Sequence, residues 1–263
     1  MSGRKKLIIS LTIVFLFGLF VFKYARSNYA VPILMYHSVN TVAPEENRLV
    51  VSRDSFERQM RFLKTRRYNV VPLGEIGQLI RHKKKIPPKT IAITFDDGYK
   101  DNYTYAFPIL KKYNLPATIF VIINEVGRPQ NDRLSWDEIK QMQSCGIITI
   151  GSHCLGPEPL VNIKSDASLK KEIFDSKKIL EDRLKTKVDI FCYPGGQFND
   201  KIKQMVVDAG YKMAVVTNPG RRFPNDDILA LKRLRISSTS DSLFVFWVES
   251  SGYYNMMRER RHK

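Results

Sequence analysis

The stretch that decides the fold is IAITFDDG at residues 91–98. Its first five residues are apolar or β-branched, which predicts a buried strand, and the closing glycine permits the turn that ends it. Two adjacent carboxylates, Asp96 and Asp97, stand at the carboxyl end of that strand. Because neighbouring carboxylates repel each other, such a pair needs a cation or a shared proton. One acid could bind a metal ion while the other accepts a proton from water, and a plain Asp-Asp-Gly turn is an equal alternative on these residues alone.

Apolar runs and helical patterns alternate along the rest of the chain. Further runs that predict strands cover 31–37, 68–72, 117–123, 147–152, 188–193 and 212–217. Patterns with helical spacing cover 52–67, 135–142, 165–185 and 199–209, and Ser52 and Ser135 are typical helix caps. This alternation predicts a parallel sheet covered by helices, with the chemistry at the carboxyl ends of the strands. The pattern alone fits an open doubly wound sheet and a barrel equally.

Two more strand ends carry polar motifs. Gly151-Ser152-His153 closes one predicted strand, and FCYPGG at residues 191–196 closes another. An acid pair, a histidine and a Tyr-Pro-Gly turn in this order resemble the polysaccharide deacetylase family, also called the NodB-homology or carbohydrate esterase 4 family. The segments that share this resemblance are PILMYH at 32–37, LSWD at 134–137, GYK at 210–212, TNPG at 217–220 and LKRLRI at 231–236. The resemblance covers roughly residues 31–245, and it implies an α/β fold, a distorted and incomplete (β/α)7 barrel.

The resemblance also implies roles for individual residues. Asp96 matches the general base of the family, Asp97 a metal ligand and His153 the first metal-binding histidine. His37 matches a histidine that protonates the leaving amine in branches with a similar Tyr-His segment. Tyr193 lies in the turn whose backbone N–H serves as an oxyanion donor. The implied cofactor is one divalent metal ion; zinc is the first expectation, and cobalt, nickel and manganese are alternatives.

The sequence departs from the family pattern at the second metal histidine. The family places it four or five residues after the first, where this chain has Pro157 and Glu158. Glu158 offers an oxygen ligand, although the prolines on both sides fix its backbone. Cys192 stands where the best-known branch often has an arginine that tunes the base. We therefore expect Asp97, His153 and Glu158 as the metal ligands.

Six residues near these motifs are candidates for contacts with a substrate. They are Phe95, Gly98, Trp136, Pro194, Gly195 and Leu234. Trp136 could line a sugar groove or simply pack at the start of a helix. Leu234 could help to form an apolar pocket for an acetyl methyl group, with core packing as the equal alternative.

The N-terminus carries an apolar run over residues 7–22 that contains only three small or polar residues. Three cationic residues, 4–6, precede it, and Lys23 follows. A short apolar run can extend across a membrane when flanking lysines reach the interface. We expect a transmembrane signal anchor over 7–23, a cytoplasmic segment over 1–6, an extracytoplasmic domain over 31–245 and a basic tail over 246–263. A cleaved signal peptide is the alternative.

The formal net charge of +17 limits which classes of partner the chain is expected to bind. An exported domain seldom meets nucleic acid, so we expect none. Anionic wall polymers or lipid headgroups are the expected partners of the basic clusters, and simple solvation of each cluster is the alternative. The chain has three cysteines, so at least one should be unpaired within it.

The family resemblance, supported by the intact Asp96, Asp97 and His153, implies a metal-dependent hydrolase. Its expected substrate is a cell-wall or extracellular polysaccharide of the N-acetylglucosamine type, from which it removes N-acetyl groups. Two alternatives remain: a glycan-binding module that has lost its second metal histidine, and a basic cell-surface scaffold that docks on anionic polymers.

Overall fold

The computed structural model of the chain describes residues 3–27, 29–44, 46–128, 132–217 and 227–254, and within the first helix it describes the side chains at 8–21, 23 and 24. The strands are β1 (Ile33–Tyr36), β2 (Ser38–Asn40), β3 (Val50–Ser52), β4 (Asn69–Val70), β5 (Thr90–Phe95), β6 (Ala117–Val121), β7 (Ile148–Ser152), β8 (Ile190–Cys192), β9 (Met213–Val216), β10 (Leu231–Lys232) and β11 (Leu234–Arg235). The helices are α1 (Gly3–Ser27), α2 (Arg53–Thr65), α3 (Leu73–Arg81), α4 (Phe107–Tyr113), α5 (Trp136–Ser144), α6 (Asp166–Lys170), α7 (Ser176–Leu184), α8 (Asp200–Asp208) and α9 (Leu243–Ser250). Two π-helical turns, Asn102–Ala106 and Lys171–Asp175, lead into α4 and α7.

The main sheet is parallel and nearly closes into a barrel. Its strands follow the order β10-β9-β8-β7-β6-β5-β1-β11, and β4 pairs with the start of β5. Only Arg233 separates β10, which pairs with β9, from β11, which pairs with β1. One broken strand therefore joins the two edges of the sheet. When β10 and β11 are counted as one strand and β4 is left out, the described part of the chain forms a seven-stranded barrel. This confirms the predicted incomplete (β/α)7 architecture.

Side chains of the barrel strands alternate between two apolar layers. On β5, Ile91, Ile93 and Phe95 join an outer layer between the sheet and the helices. Ala92 belongs to an inner layer, which α3 extends with Ile76. This inner layer is apolar, so the barrel interior is a packed core below the strand ends that carry the polar motifs.

The helix starts confirm the capping predictions. The Ser52 hydroxyl accepts a hydrogen bond from the Ser55 N–H at 3.2 Å. Ser135 and Glu138 form a reciprocal capping box, in which the Glu138 carboxylate accepts from the Ser135 N–H at 2.8 Å. The predicted helix over 165–185 forms as α6, a π-helical turn and α7 in direct succession.

The C-terminal boundary differs from the prediction. Residues 243–250 form α9, and Phe246 is fully buried with its ring 6.0 Å from the ring of Phe62 on α2. The backbone then returns to the start of the domain, where the Ala30 N–H donates to the Gly252 carbonyl at 3.0 Å. The predicted tail over 246–263 is therefore wrong in its first part, because the apolar residues of α9 pack on the barrel. Residues 255–263 lie outside the described part of the chain.

The N-terminal segment is helical as α1. Among the residues that the structure describes, no helix combines the length and the apolar character that crossing a membrane requires. The structure thus does not support the transmembrane helix predicted over 7–23. The sixteen-residue apolar run is short against the roughly 20 residues of a typical span.

Candidate active site

Asp96 enters the barrel at the end of β5. Its N–H donates to the Tyr36 carbonyl at 3.0 Å, and its side chain is almost fully buried. The fully buried Arg233 donates to both carboxylate oxygens, from Nη1 to Oδ1 and from Nη2 to Oδ2, each at 2.6 Å. Such a bidentate pair fixes the plane of the carboxylate as well as its charge.

Arg233 is the functional residue that the sequence interpretation missed. It stands in the break between β10 and β11, where the two edges of the barrel meet. Its Nε donates to the Val216 carbonyl and its Nη1 to the Thr94 hydroxyl, both at 3.1 Å, and its Nη2 lies 3.1 Å from Cys192 Sγ. The LKRLRI segment contained a signal for this residue. Because Cys192 stands where the best-known branch of the family often has an arginine, an arginine at another strand end could supply the positive charge.

The pair has a strong electrostatic consequence. Burial by itself raises the pKa of Asp96, but the Arg233 guanidinium outweighs it and lowers the pKa to about 2. In return, Asp96 raises the pKa of Arg233 despite burial. Asp96 is therefore a carboxylate at neutral pH.

A left-handed turn places Asp97 beside its neighbour in the cleft. Asp97 has φ of 68° and Gly98 has φ of 65°. A regular strand would direct successive side chains to opposite faces, so this turn is what allows both acids to face the same cleft. The Asp97 Oδ1 atom lies 3.4 Å from His153 Nε2. Burial raises the pKa of Asp97, and the contact with His153 outweighs it and lowers that pKa.

His153 is oriented by a backbone carbonyl. Its Nδ1 lies 2.9 Å from the Cys192 carbonyl, which fixes Nδ1 as the donor and leaves Nε2 to face Asp97. Burial opposes protonation of this imidazole, but Cys192 and the two carboxylates raise its pKa well above the ordinary value. Histidines that bind metals are commonly held in this way through their other ring nitrogen. The Asp97–His153 pair therefore fits a divalent cation.

A second group of potential ligands is less suitable for a cation. Ligand atoms of Asp96, His153 and Cys192 lie within 4.8 Å of one another. Arg233, however, already binds both oxygens of Asp96 and contacts the cysteine sulfur. A metal ion there would be repelled by a buried guanidinium. The cation fits on the side of the cleft formed by Asp97 and His153.

His37 shares this cleft. It follows β1 directly and is 7% exposed, and Nδ1 is buried with no hydrogen-bond partner among the described residues. Burial lowers its pKa, while the charges of Asp96 and Asp97 act in the opposite direction. The structure thus brings together four of the predicted site residues: His37, Asp96, Asp97 and His153.

Glu158 does not join them. Its side chain is exposed and accepts a hydrogen bond from Asn162 Nδ2 at 2.7 Å. The preceding loop is fixed by Glu172, which accepts from the N–H groups of Leu155 and Gly156 at 2.9 Å. The prediction of Glu158 as a metal ligand is therefore wrong, because the loop directs this residue towards solvent.

The backbone of Tyr193 is not available as an oxyanion donor. Its N–H donates to the Val215 carbonyl on β9 at 3.1 Å, and its ring packs between Phe191 and Phe198 in the outer layer. The predicted role for Tyr193 is thus wrong, since the sheet uses its N–H. Two residues later, Gly195 is exposed with φ of 63°.

Two of the predicted substrate contacts belong to the core. Phe95 is fully buried in the outer layer, with its ring 5.4 Å from that of Tyr36. Leu234 lines a small cavity with Ile33 and Gly252, at the opposite end of β1 from the acid pair. Neither side chain can reach a substrate at Asp96.

Of the other predicted substrate contacts, some pack against the protein and some lie at the strand ends near the cleft. The Trp136 ring packs on the outer layer, with the Arg183 guanidinium 5.3 Å from its centroid. Pro194 is buried, and Gly98 is the buried turn residue next to the acid pair. Gly195 is the exposed member of the set. Trp136 and Pro194 therefore have structural contacts that account for their positions.

All three cysteines are free, which agrees with the odd count. Cys154 has φ of 66° and packs in the outer layer. Cys192 lies in the inner layer beside Arg233.

The site and fold agree with comparisons to known proteins. A family model described as polysaccharide deacetylase matches residues 83–214. The chain is 36% identical over 220 residues to YxkH of Bacillus subtilis, a protein that carries a polysaccharide deacetylase name; the match covers 83% of this chain and 76% of that protein. The chain belongs to the polysaccharide deacetylase family. The poly-β-1,6-N-acetyl-D-glucosamine N-deacetylase of Staphylococcus aureus is 30% identical to this deacetylase over 200 residues, which cover 71% of this chain and 68% of that enzyme.

Solved structures show the same fold. The deacetylase PplD of Streptococcus pyogenes, in complex with acetate, superposes on this deacetylase with a TM-score of 0.72 and 30% identity, over 79% of this chain and 92% of PplD. IcaB of Ammonifex degensii superposes with a TM-score of 0.73 and 25% identity, over 84% of this chain and 97% of IcaB. The family resemblance and the enzyme class implied by the sequence motifs, a hydrolase of amide carbon–nitrogen bonds, are thus confirmed.

Proposed function

We propose that this deacetylase hydrolyses the N-acetyl groups of an N-acetylglucosamine-type polysaccharide with the help of one divalent metal ion. The observation that carries the proposal is the buried Asp96–Arg233 pair beside the Asp97–His153 pair at one end of the barrel. The first pair supplies a carboxylate that stays ionised, and the second supplies two ligand atoms with the histidine already oriented.

The two pairs divide the chemistry. Asp97 and His153 would hold the divalent ion, with zinc as the first expectation and cobalt, nickel or manganese as alternatives. When bound, the ion would supply positive charge that polarises the acetyl carbonyl and acidifies water. Asp96 accepts the proton of the attacking water on a carboxylate oxygen. Each oxygen that receives one Arg233 N–H keeps a second lone pair for that proton. Arg233 holds the carboxylate plane and keeps Asp96 ionised.

The departing amine needs a proton, and His37 can deliver it. Its imidazole lies in the cleft of the acid pair, and Nε2 is the ring nitrogen left to act because Nδ1 is buried. The Gly195 N–H replaces Tyr193 as our candidate oxyanion donor, because Gly195 is an exposed residue just beyond the strand end, two residues after the N–H that the sheet uses. A preorganised N–H at such a point stabilises the charge that develops on the carbonyl oxygen.

The substrate class is supported by a relative and by the charge of the chain. The Staphylococcus aureus relative is named for poly-β-1,6-N-acetyl-D-glucosamine. The net charge of +17 favours a location beside anionic wall polymers or lipid headgroups. We extend the N-acetylglucosamine polymer class to this chain as the proposal.

We also propose that the catalytic domain acts outside the cytoplasm. The support is the cationic segment 4–6 before the apolar run of α1, whose described apolar side chains are exposed; Phe15, for example, is 66% exposed. Protease added to intact cells should degrade the domain, and full protection until the cells are lysed would contradict this location.

One observation favours a second function, a glycan-binding module without catalysis. Only Asp97 and His153 of the three predicted metal ligands come together, because Glu158 faces solvent. Catalytic zinc sites commonly have about three protein ligands. Equilibrium binding of the oligosaccharide without acetate release would establish this alternative.

The test of the leading proposal is acetate release by the full chain from N-acetylglucosamine oligosaccharides. Asp96→Asn keeps the shape of the side chain but cannot accept the proton, so the rate should fall about 10²- to 10⁴-fold. Asp189→Asn is the matched control, since Asp189 pairs with Lys212 before β8, at the other end of the barrel. Asp96→Asn at the rate of the control would overturn the base assignment.

A further inference from the structure

Hydrogen bonds to the backbone of His37 and to the next two residues fix its position, whereas its side-chain Nδ1 has no partner among the described residues. Its carbonyl accepts a hydrogen bond from Asn102 Nδ2 at 2.8 Å. The next two residues are bound to Asp101, which accepts from the Ser38 hydroxyl and from the Val39 N–H. The same Asn102 Nδ2 also donates to Asp101 Oδ1 at 3.0 Å. Both acceptors of Nδ2 are oxygens, so the orientation of the amide is unambiguous.

The two residues that make these contacts are buried and polar. Asp101 is 5% exposed and Asn102 is 1% exposed. Burial raises the pKa of Asp101 to about 6, against the hydrogen bonds from Ser38 and Val39 that favour the carboxylate. Burying a carboxylate costs stability unless hydrogen bonds or an opposite charge compensate, and here the donors are Ser38, Val39 and Asn102.

Their place in the chain connects two parts of the cleft. Asp101 and Asn102 follow the Asp96–Asp97 turn by only a few residues, and Asn102 begins a π-helical turn. Single π-helical turns often occur at functional sites. A short segment thus links the strand that carries the base to the strand end that carries His37.

We propose that Asp101 and Asn102 are positioning residues that hold the His37 imidazole where it protonates the leaving amine. This inference rests on the proposed function. As the carbon–nitrogen bond breaks, its electron pair moves to nitrogen, and nitrogen takes the proton of the His37 imidazolium. The new carboxyl group keeps the oxygen and the second proton of the attacking water, and it loses this proton to solvent to become acetate. Asp96 retains the first proton of that water, which then returns to solvent or to the neutral His37.

The step makes a prediction about leaving groups. A sugar amine is a poor leaving group and needs protonation, whereas the p-nitrophenolate of an aryl ester leaves without it. Loss of a correctly placed acid should therefore slow amide hydrolysis and spare ester hydrolysis. Collapse of the site would slow both.

The experiment compares acetate release from a chitooligosaccharide with hydrolysis of p-nitrophenyl acetate by the full chain. Asn102→Leu keeps the branched shape and the number of heavy atoms of the side chain and removes both hydrogen bonds. We expect kcat on the oligosaccharide to fall about 10- to 100-fold with little change in KM, while the ester rate stays within about threefold. Asp101→Asn, which keeps one acceptor oxygen, should show the same selectivity with a smaller loss, and it supplies the test if Asn102→Leu does not fold.

Asn69→Leu is the matched control, because Asn69 hydrogen-bonds Thr90 at the start of β5, whereas His37 follows the end of the neighbouring strand β1, at the opposite end of the barrel. It should leave both rates unchanged. Equal losses on both substrates, or no loss on the oligosaccharide, would overturn the positioning role. A wild-type chain that releases no acetate from the oligosaccharide would overturn the proposed function and this inference with it, whereas an active wild type with unselective variants would overturn the inference alone.

Discussion

The barrel interior and the layer beneath α9 each bury a carboxylate, and the two behave in opposite ways. Asp96 lies inside the barrel with Arg233 on both of its oxygens. Glu249 lies on the buried face of α9, 6% exposed, and its Oε2 has no hydrogen-bond partner among the described residues. Burial raises the pKa of both groups. Arg233 reverses this effect for Asp96 and brings its pKa to about 2, whereas burial, only partly opposed by Ser240, raises the pKa of Glu249 to about 7.

This difference shows what the broken strand contributes. A buried carboxylate without a counter-charge is neutral or destabilising near neutral pH. The break between β10 and β11 gives Asp96 a cation at the point where the barrel closes. A site that needs an ionised carboxylate in a dry environment is therefore built into the closure of the sheet.

Replacement of Arg233 should have the largest effect on stability and activity. Arg233→Met leaves Asp96 buried and unpaired, and breaking a buried pair in this way typically costs about 3–5 kcal/mol of unfolding free energy. The variant should also lose acetate release by about 10²- to 10⁴-fold, because burial then raises the pKa of Asp96 without the guanidinium that opposes it and holds the carboxylate in place. Chemical denaturation and acetate release check both effects. Wild-type stability would show that the pair contributes nothing to the fold.

Loss of the proposed metal ligand His153 should have the next-largest effect. His153→Ala should remove most of the divalent metal measured by elemental analysis, whereas Cys192→Ala should keep it, because Arg233 makes the cysteine side of the cleft unfavourable for a cation. Acetate release should follow the metal content, so Cys192→Ala should stay within about threefold of wild type. Loss of metal in Cys192→Ala would instead establish the Asp96–His153–Cys192 group as the binding site.

Substitution of Glu249 should raise the free energy of unfolding at high pH, whereas Arg233→Met lowers it. Its pKa is raised in the folded state, so the folded protein binds this proton more tightly than the unfolded chain does. Its contribution to stability is complete below about pH 4.5 and is lost as the pH rises through about 7. Glu249→Gln should therefore stabilise the protein at pH 8 by on the order of 2 kcal/mol and have little effect at pH 4.5. Denaturation at the two pH values is the check, and equal effects at both would contradict it.

The sequence predicted the strand ends well because their signals are local. The apolar runs and the capping residues Ser52 and Ser135 each depend on a few neighbouring residues, and these elements form as expected. The acid pair and His153 then meet because parallel strands bring their carboxyl ends to one edge. These parts of the site follow from pattern and topology.

The remaining parts depend on contacts between distant segments. Arg233 reaches Asp96 only because the sheet closes, and the sequence does not show which edges meet. The N–H of Tyr193 is used by β9, and Glu172 holds the loop that turns Glu158 away. The α9 residues resembled a tail because their packing partners on α2 are far away in the sequence.

A double-mutant cycle on acetate release tests the central claim most directly, namely that Arg233 acts in catalysis through Asp96. If the two residues act as one unit, Arg233→Met should slow the wild type about 10²- to 10⁴-fold but slow Asp96→Asn by less than about threefold. The double variant would then be no slower than Asp96→Asn alone. Losses that multiply in the double variant would contradict the account and assign Arg233 a separate role.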